Sequence, residues 1–225
     1  IAAATGDFVA FLDDDDLVEP AHFATLVGVV AGSGFAVAYS DAAVGIYELD
    51  PLRGWRPLER RLPYSRDFDP DLLLVDNYIP FNTILAERAL LLEVGGLDLR
   101  FDRMEDWDLL IRLSQRTPFR HLARVTCEYR HFRGAADHSL AAGAATRDEL
   151  SEARARVLEK HMPRFDAATL ARAVTRLREE AVDATERATE MERQRNELER
   201  QARTGRERLS SELQRVYREE ARLTT

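Results

Sequence analysis

Residues Phe8 to Leu12 form a short unbroken apolar run that ends in four consecutive aspartates, Asp13 to Asp16. An apolar run of that length bounded by polar residues reads as a buried strand, and the carboxylates that follow must lie in a loop where water or a cation can reach them. The next segment, Pro20 to Ala31, carries Phe23, Leu26, Val27 and Val30 at helical spacing, and Pro20 suits a first-turn position. Phe35 to Ser40 is a second apolar strand, ending at Asp41. Strand, helix and strand in this order predict a βαβ unit with its two strands paired in parallel and a right-handed crossover.

The remainder of the first 145 residues is mixed α/β. Prolines 51, 57, 63 and 70 and Gly54 break up residues 42–71, which we read as an irregular or weakly stranded insertion. A short helix over Asp71–Val75, a strand within Tyr78–Leu85, helices over Glu87–Val94 and Glu105–Ser114, and a strand over Phe119–Tyr129 are expected. Gly95 and Gly96 stop the first of those longer helices. Beyond Thr146 the composition turns to Arg, Glu, Ala and Leu. From Leu170 to Leu223 an alternating four-three spacing selects sixteen positions, of which twelve are apolar, a heptad pattern that predicts a long helix and a weak coiled coil.

Charge and composition exclude several classes. Residues 1–143 carry 23 acids against 14 bases, the reverse of what a phosphate-binding nucleic-acid surface needs. The single cysteine, Cys127, allows neither an intrachain disulfide nor a multi-cysteine metal cage, and it reads as a small buried apolar residue. No stretch approaches the ~18–20 apolar residues needed to span a bilayer. Lys160 is the sole lysine beside 31 arginines, a bias we assign to genome composition rather than to function. The chain opens at Ile1 within IAAATGDF, without an initiator Met or a capped start, and an N-terminal truncation is expected.

Three constellations can carry chemistry. Asp13 and Asp15 lie two apart and can converge, with Asp14 or Asp16 brought near by the turn; crowded carboxylates raise one another's pKa values and attract a hard divalent cation such as Mg²⁺ or Mn²⁺. An EF-hand does not fit, because no Gly stands at the sixth loop position and no Glu closes the loop. Glu105 and Asp106 open a helix, where an acid caps the helix or accepts a proton, while Asp108 and Arg112 stand at i,i+4 spacing for an ion pair. Finally Tyr129, Arg130, His131, Arg133 and His138 fall in EYRHFRGAADHS, which reads as a loop rich in phosphate-friendly groups; His22, His121 and His161 show no ligand spacing.

The stretches AAATGDFVAFLDDDDLVEP, DLLLVDNYIPFNTILAERALLLEVGGLD and FDRMEDWDLLIRL, in that order and spacing, resemble family-2 glycosyltransferases of the GT-A fold over residues 1–140. The resemblance implies a partial GT-A, Rossmann-like mixed sheet with flanking helices over residues 1–145, followed by a helical connector over 146–168 and the long C-terminal helix over 169–225. It implies a nucleotide-diphosphate-sugar donor, a glycan, lipid-linked or protein acceptor, a Mg²⁺ or Mn²⁺ ion, and inversion by direct displacement. Carried over by position, the metal falls on Asp15 and Asp13, the donor on Asp13, Asp14, Asp16 and His131, the base on Asp106, and the acceptor near Glu105, Gly95, Gly96 and Asp98. The resemblance also implies a cytoplasmic setting, extending to the inner face of the membrane, and a role in surface glycan or polysaccharide synthesis. Family members hold the nucleoside with a strand, helix and strand that precede the acidic motif, so this chain by itself is expected to be inactive. Two alternatives remain at this stage: an assembly module working through the C-terminal helix, self-associating or joining other chains, and a phosphatase of the haloacid dehalogenase type, against which Leu17 and the missing nearby lysine count.

Overall fold

The computed structural model describes residues 1–133 and 146–223, with side chains described as far as Arg206 apart from Pro63. Six strands, β1 (Phe8–Ala10), β2 (Leu17–Val18), β3 (Val37–Asp50), β4 (Gly54–Tyr64), β5 (Ile84–Glu87) and β6 (Arg120–Arg133), form one mixed sheet. The order is β1-β5-β3-β6-β2, with β4 paired to the distal half of β3. Helices α1 (His22–Val30), α2 (Pro70–Leu73), α3 (Arg88–Glu93), α4 (Glu105–Ser114), α5 (Arg147–His161) and α6 (Ala167–Leu223) complete the fold. The expected α/β class, with a mixed sheet, flanking helices and a long C-terminal helix, is what the chain adopts. Residues 1–173 make one compact unit, and a second begins at Val174 within α6.

Four expectations need correction. The parallel β1–β3 pair does not form, because β5 lies between them and is antiparallel to both: Val9 faces Ala86, and Ala38 faces Leu85. The wholly buried Ile84, Leu85 and Ala86 find neighbours on both sides there, so the α1 crossover links parallel strands across an inserted third. Asp41 does not end its strand but sits within β3, at a register shift against β6, and its buried carboxylate is hydrogen-bonded to His121 Nε2 at 2.8 Å.

Residues 42–64 are no irregular insertion but a hairpin. Asp50 Oδ1 accepts from the backbone N–H of Leu52 and Arg53 and Gly54 adopts φ +77°, which together turn the chain, while Pro57 is tolerated because β4 pairs with β3 alone. Finally, residues 128–133 are not loop but the end of β6, paired in parallel with β3 through Ala43↔Glu128 and Ile46↔His131. His138 and Ser139 lie outside the described residues.

The core gathers under α4. Trp107, Leu109, Leu110, Ile111 and Leu113 are all fully buried, and Trp107 Nε1 donates to the Leu73 carbonyl at 2.7 Å, tying α4 to α2. Burying each such side chain contributes about 1.5–3 kcal/mol. On the other face of the sheet Leu26 and Val30 of α1 cover Ala38 and Leu85. There His22 is buried with its Nδ1 2.7 Å from Thr126 Oγ1, which in turn donates to Ser40. Cys127 is buried as expected, and burial pushes its thiol up to about 12.

Asp108, fully buried in α4, holds α5 in place. Its carboxylate meets Arg112 at 2.8 Å, the i,i+4 pair anticipated, and also Lys160 at 2.6 Å and His161 at 2.8 Å. Burial alone would raise its pKa, but the hydrogen bonds from His161 and Lys160, and the charge and hydrogen bond of Arg112, hold it at about 2. Removing one partner of a buried ion cluster strands the others, so Asp108→Ala should destabilise residues 1–173 by about 3 kcal/mol in urea unfolding. Because the folded pKa lies below the ~3.9 of an unfolded Asp, this contribution is complete above that value and disappears as pH falls toward 2. Urea midpoints measured across that window should therefore fall more steeply for the native chain than for the variant.

Candidate active site

The acidic turn is held from three directions. Before it, Phe11 stacks on Phe81 with ring centroids 4.0 Å apart. After it, β2 pairs with β6 through Leu17↔Glu128 and Val18↔Cys127, which anchors the turn beside β6. Within it, the Asp16 N–H donates to the Asp13 carbonyl at 3.3 Å. Asp16 is consequently buried: Oδ1 accepts from the Arg130 N–H at 2.9 Å and Oδ2 accepts from Asn82 Nδ2. Burial pushes its carboxyl up to about 6 despite these two donors, with the neighbouring Asp15 and Asp13 adding to the rise. Arg130 Nε meanwhile donates to the Asp15 carbonyl.

Asp106 stands in the first turn of α4, where the helix dipole favours a negative charge. The residue before Glu105, Met104, has φ 61°, the one non-glycine residue in the left-handed region among those described, a conformation that costs about 1–3 kcal/mol and turns the chain sharply into α4. Asp106 Oδ1 accepts from the Trp107 N–H at 2.7 Å, and Oδ2 accepts from Asn77 Nδ2 at 3.2 Å. Burial nevertheless raises its pKa above the ordinary carboxylate value, against both donors.

Asp13, Asp16 and Asp106 line one cavity of about 230 Å³. Its other polar walls are Asn77, Asn82, Tyr64 and Tyr129, and its floor includes Ile79, Pro80 and Phe81. The charge of Asp106 reaches Asp13, whose pKa is raised first by burial, then by Asp15 and Asp14, and lastly by Asp106. Burial, with Asp16 next, pushes Tyr129 up to about 12, so its hydroxyl stays protonated and can donate. Two buried acceptors here, Asn77 Oδ1 and Asn82 Oδ1, have no hydrogen-bond partner among the described residues. Buried polar atoms are rarely left so, and both suit a ligand that brings donors such as hydroxyl groups.

The carboxylates of Asp13, Asp15 and Asp16 can each place an oxygen within 4.8 Å of the others. Three hard oxygen donors with no sulfur or imidazole suit Mg²⁺ or Mn²⁺. Both Asp16 oxygens accept hydrogen bonds, from Asn82 and from the Arg130 N–H, which fixes this carboxylate at the base of the turn.

The other anticipated residues are placed differently. Asp14 is exposed at the turn, and half-buried Glu105 precedes Asp106 without lining the cavity. His131 lies on β6, edge-on to Tyr129 at 4.8 Å and outside the cavity lining; burial and then Arg61 lower its pKa. Gly95, Gly96 and Asp98 border a separate cavity with Arg112 and Lys160. There Arg112 donates to the carbonyls of Val94 and Gly96 at 2.6 Å each, and Lys160 donates to Asp98 at 2.8 Å. Lys160 is thus engaged away from the acidic turn. Asn77, Asn82 and Tyr64 were not anticipated. Two asparagines inside the otherwise apolar VDNYIPFNTIL were the available signal.

No protein-family model matches the chain. It is 31% identical over 165 residues, 72% of its length, to the O-antigen biosynthesis protein RfbC of Myxococcus xanthus. It is also 30% identical over 168 residues, 73% of its length, to the uncharacterized protein y4gI of Sinorhizobium fredii. The chain spans only 12% and 17% of those two relatives. Among the described residues no helix is long and apolar enough to cross a membrane.

The Asn77 amide lowers the Asp106 pKa by donating to its carboxylate, so Asn77→Ala should move that pKa further up while leaving the unfolding transition in place. Carboxyl carbon chemical shifts followed through a pH titration would report the change, and an unmoved Asp106 would show that the contact carries no weight.

Proposed function

We propose that the chain is the catalytic part of an inverting glycosyltransferase of glycan biosynthesis, acting on a nucleotide-diphosphate-sugar donor. The observation that carries this reading is that the acidic turn and Asp106 border one cavity rather than two. Similarity to a protein named for O-antigen biosynthesis supports the sugar-polymer setting. The cavity, at about 230 Å³, is smaller than the roughly 300–1,000 Å³ of sites that enclose a whole drug-sized ligand, so it suits the sugar and its pyrophosphate and leaves the nucleoside to be held elsewhere.

Asp106, deprotonated, takes the proton of the acceptor hydroxyl as that oxygen attacks the anomeric carbon. The bond from the anomeric carbon to the donor's diphosphate oxygen breaks on the opposite side, and its electron pair leaves with the diphosphate. One base is sufficient, because the leaving group departs as an anion and needs no proton. Asp13 and Asp15 would hold a Mg²⁺ or Mn²⁺ ion, whose charge offsets the one gathering on the diphosphate. Asp16, bound by Asn82 and the Arg130 N–H, keeps the turn in shape, while Asn77 fixes the Asp106 carboxylate. The side chains of Asn77 and Asn82 line the cavity where the sugar would lie.

In a full-length protein that also holds the nucleoside, Asp106→Asn, which keeps the shape and removes the base, should lower acceptor-dependent release of nucleoside diphosphate at least ~10²-fold and leave donor affinity unchanged. Native turnover should climb with pH as Asp106 deprotonates, with its inflection above the ~3.9 of a free Asp because burial raises the folded value. Retained turnover in the variant would refute the assignment of the base.

The metal role has its own test. Asn82→Ala removes a donor from Asp16 without touching Asp13 or Asp15, and outer partners of this kind are worth about 10–100-fold in affinity. Mn²⁺ titrated calorimetrically should bind the variant that much more weakly, and equal affinities would leave the Asp16 brace without a metal-holding role.

A further inference from the structure

The second unit of the chain, described from Val174 to Leu223, is a helix whose apolar stripe has no cover among the described residues. Between Val174 and Arg206 every residue is exposed except Glu180, which is half-buried. Val174, Leu177, Met191 and Leu198 fall on the four-three spacing, and Met191 and Leu198 remain 72% and 66% exposed. An isolated helix gains too little from its own hydrogen bonds to hold such a stripe in water, and heptad spacing is the pattern that a facing helix covers.

We propose that a second copy of this chain covers the stripe, forming a parallel, in-register two-stranded coiled coil. With Val174, Ala181, Ala188, Arg195 and Ala202 at a positions and Leu177, Ala184, Met191, Leu198 and Gly205 at d, the flanking g and e positions determine which partner and direction fit. In register, Arg187 at g meets Glu192 at e of the other copy, and the twofold axis repeats the contact. The remaining g–e contacts, Glu180 with Thr185, Gln194 with Glu199 and Gln201 with Arg206, set no like charges together. The polar break at Arg195 brings its own counter-charges: Glu192 and Glu199 approach its guanidinium at 3.6 Å and 3.9 Å along the same helix. A buried polar a position of this kind costs stability and favours one register. The stripe is thus complementary to itself, which argues for a like copy over an unrelated helix.

The full chain should sediment as a dimer of twice its 25.6 kDa mass. Arg187→Glu should weaken association roughly tenfold, since it sets two acids against each other on both sides of the twofold axis. Leu198→Cys should yield a disulfide-linked dimer under oxidising conditions, because d positions face their own copies only in a parallel register; the native Cys127 is 2% exposed and does not compete. A monomer at ~100 μM, well above a micromolar dissociation constant, overturns the proposal. So does a dimer insensitive to Met191→Glu, which would be held elsewhere, or one that fails to cross-link through position 198.

Discussion

The candidate site depends on one buried carboxylate that joins three parts of the chain. Asp16 belongs to the turn after β1, Asn82 to the 3-10 turn before β5, and Arg130 to β6, and the side chain of Asp16 accepts from both of the others. These segments are far apart in sequence: the pairing of β2 with β6 brings the turn to Arg130, and the pairing of β1 with β5 brings it near Asn82. A buried carboxylate is costly unless it is hydrogen-bonded, and its pKa of about 6 records that the cost is only partly offset. Neighbouring carboxylates sharpen the demand. On the proposed reading, a cation held by Asp13 and Asp15 would offset this crowding of negative charge.

The acidic turn and the α4 helix were legible in the sequence because each is a local signal. Four aspartates after an apolar run admit few structures, and the bounds of α4, Glu105 to Ser114, follow from the acids at its start and the apolar spacing within it. The sheet order was not legible. Whether β1 and β3 touch depends on whether a third strand fits between them, and the short Ile84–Glu87 segment declares that only through pairing on both sides. The hairpin at 37–64 was hidden by its prolines, which argue against a central strand but not against one with a single neighbour.

Within the site the same division holds. Asp13 and Asp106 announce themselves by charge and by place, yet the residues that orient and complete the cavity, Asn77 and Asn82, are neutral and carry no periodic signal. Conversely Gly95 and Gly96 stand out in sequence, and the structure shows why they are required locally: φ values of 86° and 66° let the chain leave α3, and Arg112 then caps the loop carbonyls. Their conspicuousness is conformational. A glycine pair beside a helix end marks a backbone need before it marks a ligand.

Asp106 and Asp108 make the closing argument, since they share a helix turn and differ only in what surrounds them. Asp108 is fully buried yet faces Arg112, Lys160 and His161, and the balance holds its pKa low. Asp106 has only neutral donors among the described residues, and burial moves its pKa up. A carboxylate held far down by cations is a poor proton acceptor, whereas one raised by desolvation with no cation beside it is a better one. On the proposed reading, the helix separates a fastening acid from the catalytic base within two residues. Met104, at φ 61°, turns the chain into this helix, and it is Asp106, not Asp108, that lines the cavity.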